Sequence, residues 1–166
     1  MRPITESEIR RSFVNCSQGE AKRLPVPKDL EMLPWEQLDF LGWRDAGAPD
    51  RGYLVAERED GVLVGVTLKA AKGAARGFTS RSMCSLCKTT RTGGGVALMA
   101  ARRAGAAGRQ GNTVGEYLCT DLACSLYVRG KKIAATEPGL DETLSVEEKV
   151  ARLKTNLTTF LEKVVK

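Results

Sequence analysis

Four cysteines fall into two pairs whose spacing suits metal ligation. Cys84-Ser-Leu-Cys87 and Cys119-Thr-Asp-Leu-Ala-Cys124 are separated by 31 residues. A tight Cys-x2-Cys turn aims both sulfurs inward. A second pair completes a tetrahedron, the geometry that Zn²⁺ adopts with four thiolates. Four sulfurs occupy every position of that tetrahedron, so such a metal would hold structure rather than activate a water. A redox Cys-x-x-Cys works without a second pair, and structural disulfides need an oxidising compartment. Residues 1–15 carry Glu6, Glu8, Arg10 and Arg11 where a secretory leader has its apolar stretch. The expectation is a cytoplasmic protein with one structural zinc on Cys84, Cys87, Cys119 and Cys124. Cys16 has no evident partner and is expected to be a buried spectator.

There is no histidine. That removes Ser-His-Asp and Cys-His nucleophile activation and His-Glu-x-x-His zinc hydrolysis. Catalysis would have to rest on carboxylates or lysines, and no convergent set of either stands out. The chain is expected not to be an enzyme and to have no small-molecule substrate. With no apolar run of about 18 residues, no membrane span is expected.

The net charge of +6 is unevenly placed. Met1–Leu68 carries 9 basic and 12 acidic residues, Lys69–Lys132 carries 12 and 2, and Ile133–Lys166 carries 5 and 6. The positive field therefore sits on the cysteine module. A focused basic surface suits an acidic partner, either nucleic acid or an acidic protein face. One reading is a basic zinc module that binds ribosomal RNA or the ribosome. The scarcity of aromatics on its strands counts against base stacking.

The elements that would position the cysteines follow from local pattern. Thr5-x-x-Glu8 is a capping box, and it predicts a helix over about 6–16, ended by Ser17-Gln18-Gly19. Residues 1–35 read as an N-terminal helical extension, and 36–166 as the zinc-binding domain. Trp35, Leu38, Phe40, Leu41 and Trp43 read as a core plug, because large aromatics dominate small cores. Residues 53–58 and 62–68 flank Asp60-Gly61, a hairpin signal. Arg91-Thr92-Gly93-Gly94-Gly95 lacks the Gly-Lys-Ser/Thr ending of a phosphate loop and reads as a mobile turn. Residues 96–101 and 113–119 read as a second hairpin whose tip carries Arg102, Arg103 and Arg109. Thr120 or Asp121 is expected to cap a short helix starting near Cys124. Ser145-x-x-Glu148 opens a long helix with Val146, Val150, Leu153, Leu157, Phe160, Leu161 and Val164 along one face. Knuckle, hairpin and then a helix bearing the last ligand is the order of a treble-clef zinc finger. The expected fold class is α+β: a small antiparallel sheet, a treble-clef zinc finger with four cysteine ligands, and a long C-terminal helix.

Several stretches together carry a resemblance. They are Leu41-Gly42-Trp43-Arg44-Asp45, Cys84-x2-Cys87, Gly95-Val96-Ala97-Leu98-Met99, Gly115-Glu116-Tyr117-Leu118-Cys119-Thr120-Asp121 and Phe160-Leu161-Glu162-Lys163. From about Leu38 to Lys166 the chain resembles the zinc-binding C-terminal domain of the elongation factor G-binding proteins, the FusB-type fusidic acid resistance family. The resemblance implies a structural zinc on the four cysteines. It also implies docking onto elongation factor G, with release of the factor from drug-stalled ribosomes. Carried over by position, the docking residues would be Tyr117, Phe160 and Phe78, with Arg102, Arg103 and Arg109 as a basic contact surface suggested by charge. Only about 35 residues precede the shared part, where resistance proteins carry a sizeable helical domain. The alanine- and arginine-rich hairpin is also unlike the lysine-rich resistance proteins.

Overall fold

A computed structural model of the protein describes residues 1–71, 81–133 and 142–166. Phe78, one of the expected docking residues, lies outside the described residues. The chain starts with α1 (Glu6–Ser12) and α2 (Gln18–Arg23), then two 3₁₀ turns at Leu30–Met32 and Trp35–Gln37. Strands β1 (Phe40–Arg44), β2 (Arg51–Glu57) and β3 (Leu63–Ala70) follow as an antiparallel meander. The cysteine module then brings β4 (Ser82–Met83), β5 (Thr90–Arg91), β6 (Val96–Arg102), α3 (Gly105–Arg109), β7 (Thr113–Cys119) and α4 (Cys124–Val128). The chain closes with α5 (Val146–Val165).

One five-stranded antiparallel sheet, in the order β1-β2-β3-β6-β7, organises the molecule, and β4-β5 form a separate two-stranded ribbon. Both faces of the sheet are covered, by different parts of the chain. On one face lie Leu54, Ala56, Val64, Val66, Met99 and Leu118, packed with Leu153, Leu157, Phe160, Leu161 and Val164 of α5. The other face, through Leu41 and Val55, takes Ile4, Ile9 and Trp35 from the N-terminal segment. Of the two tryptophans expected in the core, Trp35 is buried, whereas Trp43 is only half-buried, 5.3 Å from the Tyr53 ring and donating Nε1–H to the Pro25 carbonyl. α1 approaches closely because Gly65 has no side chain. A Cβ there would lie 2.5 Å from Ser12 Oγ.

The two halves of the sheet join through a short seam. β3 and β6 pair only at Lys69–Ala100 and Ala70–Met99, whereas β2–β3 and β6–β7 each pair over seven positions. Where the ladder would continue, the buried Asn15 side chain stands in. Its Nδ2 donates to Thr67 O and Arg102 O, and its Oδ1 accepts from Thr67 N. The N-terminal segment thus stitches β3 to β6.

Local expectations change at several places. The first helix stops at Ser12, because Phe13 takes extended backbone and bridges to Gly65. Ser17 does not end a helix. It opens α2 with its own capping box to Glu20. Cys16, just before it, is half-buried against Ala21, Leu24 and Tyr53 rather than sealed in the core. The tip after Arg102 folds into the short helix α3. Finally, α4 is capped by Ala123 without a side-chain hydrogen bond, not by Thr120 or Asp121.

Candidate metal centre

The first sulfur pair sits on a knuckle between β4 and β5. Lys88 N–H donates to Cys84 O and Cys84 N–H to Thr89 O, and Lys88 takes a positive φ of 61° to complete the turn. The second pair brackets the exit of β7 and the first residue of α4. Leu122 N–H donates to Cys119 O, and Leu122 adopts φ 54°. That left-handed backbone costs a non-glycine residue about 1–2 kcal/mol. The loop sits directly over β1, where a Cβ on Gly42 would fall 2.6 Å from Leu122 Cβ.

The four sulfurs converge within 4.8 Å of one another and all four cysteines are buried. Cys84 Sγ lies 3.7 Å from Cys124 Sγ, and Cys87 Sγ 3.6 Å from Cys119 Sγ. A tetrahedron with Zn–S bonds of ~2.3 Å has S···S edges of about 3.8 Å. Disulfide sulfurs lie about 2.05 Å apart. The geometry is therefore that of a four-thiolate metal cage, and the soft donor set suits zinc. Hydrogen bonding among the sulfurs pulls the Cys84 thiol well below its usual range. The same network, with burial, pushes Cys124 well above it. A dication would let all four ionise together, by supplying the charge that four packed thiolates lack.

Neighbouring elements fix this cage from outside. Ser85 N–H donates to Tyr117 O at 2.6 Å, docking the knuckle on β7. From α5, Asn156 Nδ2 donates to Leu86 O and Arg152 Nη2 to Cys87 O. Thr120 N–H donates to Gly95 O, so the glycine turn is anchored to the second ligand loop. Asp121 accepts from Tyr127 Oη at 2.6 Å and pairs with Arg91 and Lys132. Burial pushes the Asp121 carboxyl up, but Lys132, Tyr127 and the Ala123 amide together hold it below its ordinary value. Arg91 lies 4.7 Å from the Tyr127 ring centre. Asp121 thus clamps the ribbon to α4. Its place in the sequence suggests only a helix cap, because its partners are 30 residues upstream and 11 downstream.

The expected docking residues lie in different settings. Tyr117 is 52% exposed on β7, on the sheet face opposite α5. Phe160 is 1% exposed, sealed in the core beneath a groove of about 250 Å³ edged by Lys88, Glu116 and Lys163. Arg102 and Arg109 are exposed and Arg103 half-buried, around the tip between β6 and β7.

Ribbon, hairpin and ligand-bearing helix in this order, closed on four cysteines, define a treble-clef zinc finger. The chain belongs to the family described as FBP C-terminal treble-clef zinc-finger, whose model matches residues 8–164. Among solved structures, "Structure of the fusidic acid resistance protein FusC" is similar in fold, with a TM-score of 0.62 at 16% identity. The match covers 99% of this chain and 60% of that one, so this chain spans little more than half the length of that relative. No curated protein matches. Among the described residues, no helix is long and apolar enough to cross a membrane.

Proposed function

We propose that this protein is a non-enzymatic, cytoplasmic adaptor, stabilised by one zinc ion, that binds translation elongation factor G and promotes its release from the ribosome. Family membership supports the partner. The observation that carries the reading is the setting of Tyr117. This large aromatic is half exposed, yet its backbone is held by the knuckle through the Ser85–Tyr117 hydrogen bond. An exposed aromatic on a rigid strand loses little freedom on docking, which is what an interface anchor needs. Arg102, Arg103 and Arg109 add positive charge at the far end of the same hairpin, suited to an acidic protein face. Phe160 supports the sheet from behind. Binding energy spent on one state of the factor would shift its conformational equilibrium.

Purified factor passed over the immobilised, zinc-loaded chain should be retained. Retention should fall at least roughly tenfold with Tyr117→Ala and with the triple substitution of the tip arginines by alanine. Absence of retention by the unaltered chain would overturn the proposal. The basic stretch Lys69–Lys132 supports ribosomal RNA as a second reading. In that case affinity for RNA should fall steeply with salt, and a flat dependence rejects it.

A further inference from the structure

The sheet face that carries α1 and α2 holds a second concave feature, apart from the metal cage. A cleft of about 360 Å³ opens between α2 and strands β2, β3 and β6. Arg51 and Lys69, both exposed, are direct cross-strand partners along its lining. Arg102 follows two residues beyond Ala100, which pairs with Lys69, and Arg23 closes the rim from the end of α2. Among the described residues, none of these four cations takes an ion pair. Like charges directly opposite one another in a sheet are destabilising, so the Arg51–Lys69 pair works against the fold that displays it.

Two acids, Asp45 and Glu20, share the described lining. Asp45 accepts from the Gly47 and Ala48 amides and from Tyr53 Oη. Glu20 accepts the Ser17 amide and hydroxyl in the α2 capping box. Hydrogen bonds from Ser17, with the charges of Arg102 and Arg23, hold the Glu20 carboxyl below its ordinary value. Among the described residues four cations face two carboxylates, so the cleft stays positive.

We infer that this cleft binds a compact polyphosphate anion, free or as the phosphate chain of a nucleotide. Three of the four cations are arginines, whose planar forks match phosphate oxygens two at a time. The volume falls at the lower end of small-ligand pockets. An extended RNA strand fits less well, because stacking needs exposed aromatics and Tyr53, the only aromatic among the described residues that line the cleft, is buried.

The test is calorimetric titration of the zinc-loaded full chain with inorganic tripolyphosphate, and in parallel with adenosine triphosphate and a single-stranded RNA oligomer. Saturable binding of either phosphate chain is expected, and the tighter of the two identifies the natural bearer. Arg51→Gln with Lys69→Gln should weaken it by roughly tenfold or more. Lys28→Gln with Lys154→Gln removes the same charge outside the cleft and should change it less than about twofold. In the unaltered chain, backbone amide shifts on titration should centre on Asn15, Thr67 and Arg102. Absence of saturable binding, equal loss in both double variants, shifts centred elsewhere, or preference for the RNA oligomer would each overturn the inference.

Discussion

Asp39 and Arg129 show what a single residue pair contributes to this architecture. Arg129 Nη1 lies 2.5 Å from Asp39 Oδ2, and Nη2 lies 3.0 Å from Oδ1, a bidentate contact with the Asp39 side chain only 2% exposed. Asp39 N–H donates to Ser125 Oγ, and Arg129 Nη1 also donates to Ser125 O. The start of β1 is thereby tied to the ligand-bearing helix α4. Removing one partner of a buried pair strands the other charge, which typically costs about 3–5 kcal/mol. Asp39→Ala should lower stability toward urea by about 3 kcal/mol, against a far smaller change for Arg58→Ala, whose pairing with Asp60 is exposed. No pattern in the sequence singles out Asp39, because its partner lies 90 residues away. The cysteines are legible because metal ligation is written in residue type and short spacing. The clamp on Asp121 is not, since it depends on which side chains the fold brings together.

At the scale of elements, legibility follows how local the determinants are. The capping boxes at Thr5 and Ser145 are self-contained, and both helices start there. The same box at Ser17 is masked by the glycine that follows within two residues, although the Ser17-x-x-Glu20 spacing is a usable signal. Ser17→Ala should destabilise the protein by about 1 kcal/mol. Amide exchange should rise selectively over Gln18–Arg23, with β6 and β7 unaffected. β1 is hard to read for a different reason. Phe40 packs toward α5, Leu41 toward the N-terminal segment, and Gly42 presents no side chain beneath Leu122. A strand buried on both faces loses the alternation by which strands are recognised. α3 contains two glycines in five residues, a weak local helix signal, and the bond from Ala104 N–H to Val164 O ties its start to α5.

For the whole molecule, the division of the core sets what metal removal does. The cage shares its packing cluster with α5 and the inner sheet face, whereas Ile4, Ile9, Trp35, Leu41 and Val55 form a cluster of their own. A structural zinc supplies folding free energy directly. Chelation should therefore strip protection from the amides of β6, β7 and α4 while those of α1, whose Ile9 lies in the second cluster, stay comparatively protected, as read by hydrogen exchange with and without chelator. Equal loss in α1 would show instead that the two clusters unfold as one. The broad architecture is readable in advance because treble-clef order is a matter of sequence order. The covering of the outer sheet face by residues 1–35 is not, because it rests on Gly65 and Asn15, whose partners are distant in the chain.

The stitch made by Asn15 gives the fold an order in time. The β1–β3 meander and the β6–β7 hairpin are built from contacts between near neighbours in the chain, which form early. The Asn15–Arg102 contact spans 87 residues, and contacts of such separation are slow to close. On a growing chain, Asn15 is made long before either strand it joins, and its side-chain amide must wait until β6 has been synthesised. The joining of the two half-sheets is thus a late event in the birth of the molecule, set by one of its earliest residues.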